Sequence, residues 1–229
     1  LEAARLANIK KIIVLGTTCS YPHTPKTIPF IEDELFDGMP EITNSGYGVA
    51  KRTLVKLGMD YAKQYGMNIV NLIPTNMLGE HDHFEEEKSH VIPSLIKKFE
   101  KVQKHNDSLW ADDTCLQLPV TLWGTGSASR DFLYVGDCVR AIHIALEKDV
   151  GPEPINLGTG REVTIKELAE TIKGIGDYDA GILWDKTKPD GQPRRSLDVS
   201  RAKERLRWEA TTPLEAALAK TIDWYRNTL

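Results

Sequence analysis

Tyr47 and Lys51 stand four residues apart in NSGYGVAKRTL, at the start of a long helical pattern. On a helix that spacing stacks both side chains on one face, one turn apart. An ammonium beside a phenol favours the phenolate, which is what a general acid or base at neutral pH needs. The same pair also fits a surface tyrosine and lysine on an amphipathic helix. Upstream, the apolar run KIIVLG ends in TTCSYP, so that two hydroxyls and a thiol emerge at the C-terminal end of a strand. In open α/β sheets that edge binds ligands. The Thr17 hydroxyl is placed to bond a ketone beside Tyr47, or else its own backbone; a one-residue shift would give its role to Thr18. A thiol at Cys19 can take an acidic proton next to a carbonyl, although most cysteines are buried and inert.

These residues need a strand, a polar turn, a helix and a second strand in that order, and the chain supplies them. LEAARLANIKKIIVLG reads as a helix end running into a buried parallel strand, and residues 22–44 as a loop over the site. The YxxxK helix carries Tyr47, Ala50, Leu54, Leu57 and Tyr61 at three-four spacing and stops at Gly66. MNIVNLI is the next strand, and the turn after it, Pro74, Thr75, Asn76 and Met77, lands at the same edge. From about His81 a charged loop leads into VIPSLIKKFEKV, an amphipathic helix with Ile92, Leu95, Ile96, Phe99 and Val102 inward. Residues 105–117 read as an insertion or hairpin. PVTLW, RDFLYV, residues 154–157 and GILWD read as strands, the last of them GILWD. Asp137 is the expected N-cap of DCVRAIHIALEK, Thr164 and Glu167 a capping box, and Thr212, Pro213 and Glu215 the start of the final helix.

A chain of 229 residues, 41% hydrophobic, can bury one core and a satellite lobe. No apolar run approaches the roughly 18 residues of a membrane span, and a formal charge of −4 argues against a nucleic-acid surface. Cys19, Cys115 and Cys138 have no paired spacing, which suits reduced thiols in the cytoplasm; the latter two read as inert fillers. His81, Asp82 and His83, with Glu85, Glu86 and Glu87, lack a fixed third ligand, so no metal site is expected.

Through TTCSYP, YGVAK, PTNMLG, KSHVIPSLIKKF, LWGTGSASRDFLYV, INLGTG and KPDGQPRRSLD the chain resembles, nearly end to end, the extended short-chain dehydrogenase/reductase family, and within it the GDP-L-fucose synthase branch. The resemblance implies NADP(H)-dependent epimerisation at C3 and C5 and reduction at C4 of a GDP-4-keto-6-deoxyhexose, with the mannose-derived ketone first; the alternatives are an epimerase or reductase of another nucleotide sugar, or a catalytically silent nucleotide-sugar-binding fragment. It assigns Thr17, Tyr47 and Lys51 to reduction, and Cys19 and His90 to the base and acid of epimerisation. Thr17, Thr18, Tyr47, Lys51, Pro74, Thr75, Asn76, Met77 and His90 would line the cofactor. Lys98, Trp123, Arg130 and Asp190 would hold the GDP-sugar, with Arg194 or Arg195 adding charge nearby. A homodimer through the YxxxK helix follows from the same resemblance. TTC in place of the commoner SSC, Leu78 and Glu80 in place of tyrosine and proline, and Gly136 in place of aspartate are departures that bear on the sugar.

The resemblance also defines the fold: the C-terminal part of a doubly wound, Rossmann-like parallel sheet with a smaller α/β substrate lobe. Residues 1–80 would form the partial dinucleotide-binding domain and 81–229 mainly the lobe, with residues from about 120 to 160 returning to the first. No G-x-G-x-x-G phosphate loop precedes Ile12, and the turns at Gly124 and Gly158 lack the third glycine and read as tight turns. About 90 residues of glycine-rich N-terminal half are expected outside this chain, leaving NADPH the weaker ligand of these residues alone.

Overall fold

The computed structural model describes residues 1–85, 89–110 and 117–228. In chain order they form α1 (Glu2–Leu6), β1 (Ile12–Leu15), α2 (Ser45–Tyr65), β2 (Ile69–Pro74), β3 (Asn76–Leu78), α3 (Val91–Trp110) and β4 (Val120–Trp123). There follow β5 (Ser129–Arg130), β6 (Phe132–Tyr134), α4 (Val135–Glu147), β7 (Ile155–Leu157) and β8 (Val163–Thr164). The chain closes with α5 (Ile165–Gly176), β9 (Ile182–Asp185), β10 (Arg194–Arg195) and α6 (Leu214–Thr228). No described helix is long and apolar enough to cross a membrane.

The chain divides into two compact units. The first is Leu1–Met77, Asp131–Glu162 and Arg194–Thr211. Its parallel sheet has the order β1-β2-β7, with Ile12 opposite Ile69 and Leu72 opposite Ile155. Alternate residues of β2 serve opposite faces. Ile69 and Ile73 pack with Val14, Tyr21, Phe30 and Val55 of α2, whereas Val70 and Leu72 pack with Cys138, Ala141 and Ala145 of α4. Covering on both faces explains why these strands read as continuous apolar runs. The result is a Rossmann-like α/β fold.

Of the three-four series on α2, Leu54 and Tyr61 pack half-buried against the core while Tyr47, Ala50 and Leu57 are exposed; the fully buried residues of the helix are Gly48, Val55 and Gly58. Small residues let the helix approach the sheet closely: a Cβ at Gly58 would stand 2.7 Å from Asn71 Oδ1. Gly66, at φ +66, closes the helix and donates its N–H to Ala62. The loop after Tyr21 holds 3-10 turns at Glu32–Glu34 and Ile42–Asn44, with Phe30 and Glu32 buried. Glu32 accepts the Asn156 N–H, and Asn156 takes the Tyr21 hydroxyl at 2.7 Å.

The second unit is Leu78–Arg130, Val163–Pro193 and Thr212–Leu229. Within it β4 runs parallel to β9, and β5 antiparallel to β8. The α3 stripe is as the sequence indicates, with Ile92, Leu95, Ile96 and Phe99 buried. The buried Glu100 carboxylate accepts the Tyr178 hydroxyl and the Arg226 Nε, each at 2.6 Å. Thr164 and Glu167 form the capping box of α5.

By compactness, Asp131–Glu162 and Arg194–Thr211 belong to the first unit. Several expectations are corrected. GILWD is not the last strand, since β10 follows it. Residues 105–110 continue α3; residues 111–116, with Cys115, lie outside the described residues, as do Glu86 and Glu87. Asp137 is not an N-cap: α4 already begins at Val135, and the buried carboxylate pairs with Arg140 and Thr211.

Candidate active site

In the first unit the candidate side chains of the sequence-based site gather at the C-terminal ends of β1 and β2. Thr17 is extended, and its Oγ1 accepts the Cys19 N–H at 3.3 Å, opening the 3-10 turn Thr18–Ser20. Thr17 is half-buried, while Thr18 is buried, its hydroxyl without a partner among the described residues. That difference favours Thr17 as the hydroxyl open to a ligand. Gly48 sets the first turn of α2 against this turn, because a Cβ there would stand 2.4 Å from the Cys19 carbonyl oxygen. The Arg52 guanidinium donates to the Ser20 and Gly38 carbonyls and fastens the same contact. Tyr47 is thereby presented beside the turn, 53% exposed. Lys51 Nζ lies 6.0 Å from the Tyr47 ring centroid and donates to the Leu15 carbonyl at 3.1 Å. The ammonium is thus held by the end of β1.

The turn after β2 is held from below. Thr75 N–H donates to Leu157, while Thr75 Oγ1 and Asn76 Nδ2 both donate to the Asp131 carbonyl. Pro74 and Thr75 are buried, and Met77 is exposed. The Asp131 carboxylate, fully buried, accepts the N–H groups of Thr159 and Gly160 and the Thr159 hydroxyl. Burial raises its pKa, and those hydrogen bonds oppose the rise. Asp131 therefore organises two turns at the ligand edge. Across the site, Arg195 Nη1 reaches Cys19 Sγ at 3.5 Å, while Arg194 is forked onto Glu162.

In the second unit Trp123 is 64% exposed and has two ammonium groups near its ring, Lys98 Nζ at 6.0 Å and Lys188 Nζ at 5.7 Å from its centroid. Burial depresses the Lys98 pKa, and its Nζ donates to the Thr121 carbonyl. Asp190 spends both carboxylate oxygens on Thr125, which holds its pKa down. It pins the turn at Gly124, whose φ is +76. Arg130 donates to the Ser129 carbonyl. His90, just ahead of α3, is largely exposed, with Nδ1 3.3 Å from Asp82 Oδ1. His81 packs tilted against Trp224, with centroids 4.9 Å apart. Among the described residues no three His, Cys, Asp or Glu side chains converge as metal ligands.

Lys188 and Asp131 are absent from the sequence-based site, and the inward arginine was undecided between positions 194 and 195. Lys188 had a signal, being two residues before Asp190 in KPDG. The first unit's donor set fits the nicotinamide end of a dinucleotide: a hydroxyl, a phenol and an ammonium on one sheet edge. Its GTG turn does not fit a pyrophosphate, because the Thr159 and Gly160 N–H groups are committed to Asp131.

A parallel sheet with a TTC turn and a YxxxK helix at its ligand edge defines a dehydrogenase-type class, and the family comparison agrees. The chain belongs to the NAD dependent epimerase/dehydratase family, whose model matches residues 1–158. It is 38% identical over 224 residues to a probable GDP-L-fucose synthase 1 of Oryza sativa subsp. japonica, covering 97% of this chain and 64% of that protein. It is 39% identical to a GDP-L-fucose synthase of Escherichia coli (strain K12), covering 98% of this chain and 69% of that one. The structure of a GDP-L-fucose synthetase from Naegleria fowleri bound to NADP matches with a TM-score of 0.87 at 29% identity, covering 99% of this chain and 66% of that one. The chain thus spans 64% and 69% of the lengths of these two curated relatives.

Proposed function

We propose that the full-length protein is an NADP(H)-dependent epimerase-reductase acting on a GDP-4-keto-6-deoxyhexose, as its similarity to GDP-L-fucose synthases suggests. The observation that carries this reading is the contact of α2 with the Thr18–Ser20 turn, which sets Tyr47 and Cys19 at one sheet edge. The C4 ketone acidifies the hydrogens at C3 and C5. The Cys19 thiolate takes one of them, breaking C–H and forming S–H, and the electron pair rests on the ketone oxygen as an enolate. His90 acts as the acid that returns a proton to the opposite face of the ring, regenerating the ketone with inverted configuration. Bound NADPH supplies the hydride for reduction at C4. Tyr47 gives its phenolic proton to the developing alkoxide, with the Lys51 ammonium beside its ring, and Thr17 bonds the same oxygen.

Lys98 and Lys188 offer positive charge to the diphosphate, and Trp123 offers its face to a base or sugar ring. Arg130 adds a planar donor. Asp190 acts through the Gly124 turn, and Pro74, Thr75, Asn76 and Met77 line the cofactor. A homodimer is supported by Val49 and Leu57, which α2 leaves exposed. We place the enzyme in the cytoplasm. With GDP-4-keto-6-deoxy-mannose and NADPH, the full-length protein should form NADP and a GDP-6-deoxyhexose reduced at C4. Absence of cofactor oxidation refutes the proposal.

A further inference from the structure

We infer that Arg195 is the cation that holds Cys19 as a reactive thiolate, and so sets the rate of proton removal at C3 and C5. The inference rests on the proposed reaction for its role in catalysis, and on the fold for the contact itself. Arg194 and Ser196 both turn toward Glu162: Arg194 donates from Nε at 3.1 Å and from Nη2 at 2.5 Å, and the Ser196 hydroxyl donates at 3.0 Å. In an extended segment the residue between them must point the opposite way. It does, and Arg195 Nη1 donates toward Cys19 Sγ at 3.5 Å.

The backbone leaves this segment little freedom. The Arg195 carbonyl accepts the Asp131 N–H, the Ser196 carbonyl accepts the Phe30 N–H, and the Phe30 carbonyl accepts the Asp198 N–H. On the other side, Cys19 is fixed through its own N–H on Thr17 Oγ1. The main chains that carry the donor and the sulfur are therefore both held before any substrate arrives. The guanidinium's charge also reaches the Glu41 carboxylate, whose hydrogen bonds go to Thr43. A sulfur that alternates between thiol and thiolate during proton transfer is stabilised in its charged form by a fixed donor of this kind. Arginine suits the position because it keeps its charge when half-buried.

The test is the rate at which iodoacetamide alkylates Cys19 in the full-length protein at neutral pH, read by mass mapping of the modified peptide. It needs neither substrate nor turnover. Arg195→Met should slow the reaction at least tenfold, equivalent to about 1.4 kcal/mol, and Arg195→Lys, which keeps the cation, should recover most of the loss. Cys138, buried and with its thiol pushed up to about 11, should stay unmodified in every folded variant. If Arg195→Met does not fold, wild type decides: half-buried Cys19 should react faster in the native protein than in urea. An unchanged rate in folded Arg195→Met, or a slower native than unfolded rate in wild type, overturns the inference. A slowed alkylation beside undiminished deuterium uptake at C3 and C5 supports the Arg195 contact and overturns Cys19 as the base.

Discussion

Gly48→Ala asks whether α2 must touch the Thr18–Ser20 turn for the chemistry to proceed. A methyl at this position would stand 2.4 Å from the Cys19 carbonyl oxygen and 2.9 Å from Pro40 Cβ, whereas ordinary contact begins at 3.4 Å. The nearer obstacle is backbone, so the helix itself must retreat, by about 1 Å. Tyr47 is the preceding residue and Lys51 lies one turn further on, so the retreat draws the phenol away from Thr17 and the ammonium away from Leu15. Misplacement on that scale costs about 100-fold in rate, and the overpacking about 1–3 kcal/mol in stability. Gly46→Ala is the control. Its methyl would have nothing within 4 Å, so it should stabilise α2 by about 0.5–1 kcal/mol with turnover unchanged. Both are read in the full-length protein by NADPH oxidation at saturating ketone and by urea unfolding. Wild-type turnover in Gly48→Ala would refute the claim that this contact positions the site.

Trp123→Ala should raise KM for the GDP-sugar about tenfold and leave the urea midpoint in place, because the ring is mostly exposed; a KM within twofold of wild type counts against the ring as a ligand. Asp131→Ala strips the acceptor from the Thr159 N–H, the Gly160 N–H and the Thr159 hydroxyl, and should cost about 3–5 kcal/mol in urea unfolding. A loss under about 1 kcal/mol would mean the Thr159 turn does not depend on the carboxylate. Burial raises the Glu32 pKa above its ordinary 4.5. The unfolded chain then ionises first as pH rises, so Glu32 contributes stability that is full below about 4.5 and is lost as pH climbs through the folded pKa. Wild type should therefore gain on Glu32→Gln as pH is lowered from 7 towards 4.5. Paired urea melts check this, and a pH-independent difference contradicts it.

What the sequence made legible was local. Thr164 and Glu167 announce α5 because both partners of a capping box lie within one turn, and Gly66 ends α2 because only the cap position needs a left-handed backbone. The order of strand, TTC turn and YxxxK helix placed Thr17, Cys19, Tyr47 and Lys51 before any geometry was known. Asp137 misled because an acidic residue before an apolar run resembles a cap, while its actual partner Thr211 lies far along the chain. The buried face of α2 was not legible for a different reason. A count of apolar residues gives no weight to Gly48 and Gly58, yet their missing side chains are what let the helix reach the Cys19 turn and Asn71. Two adjacent arginines gave no direction until Glu162 took Arg194, and Asp131 shows its role only when the turns at Thr75 and Thr159 are brought together.

The most direct test of two chemistries in one site is deuterium uptake from heavy water, measured beside NADPH oxidation, for the full-length protein and two variants. Cys19→Ser should lose uptake at C3 and C5 by more than tenfold, or about 1.4 kcal/mol of barrier, while still oxidising NADPH against the ketone. Tyr47→Phe should keep the uptake and lose the oxidation to a similar degree. Uptake at the wild-type rate in Cys19→Ser would contradict the account.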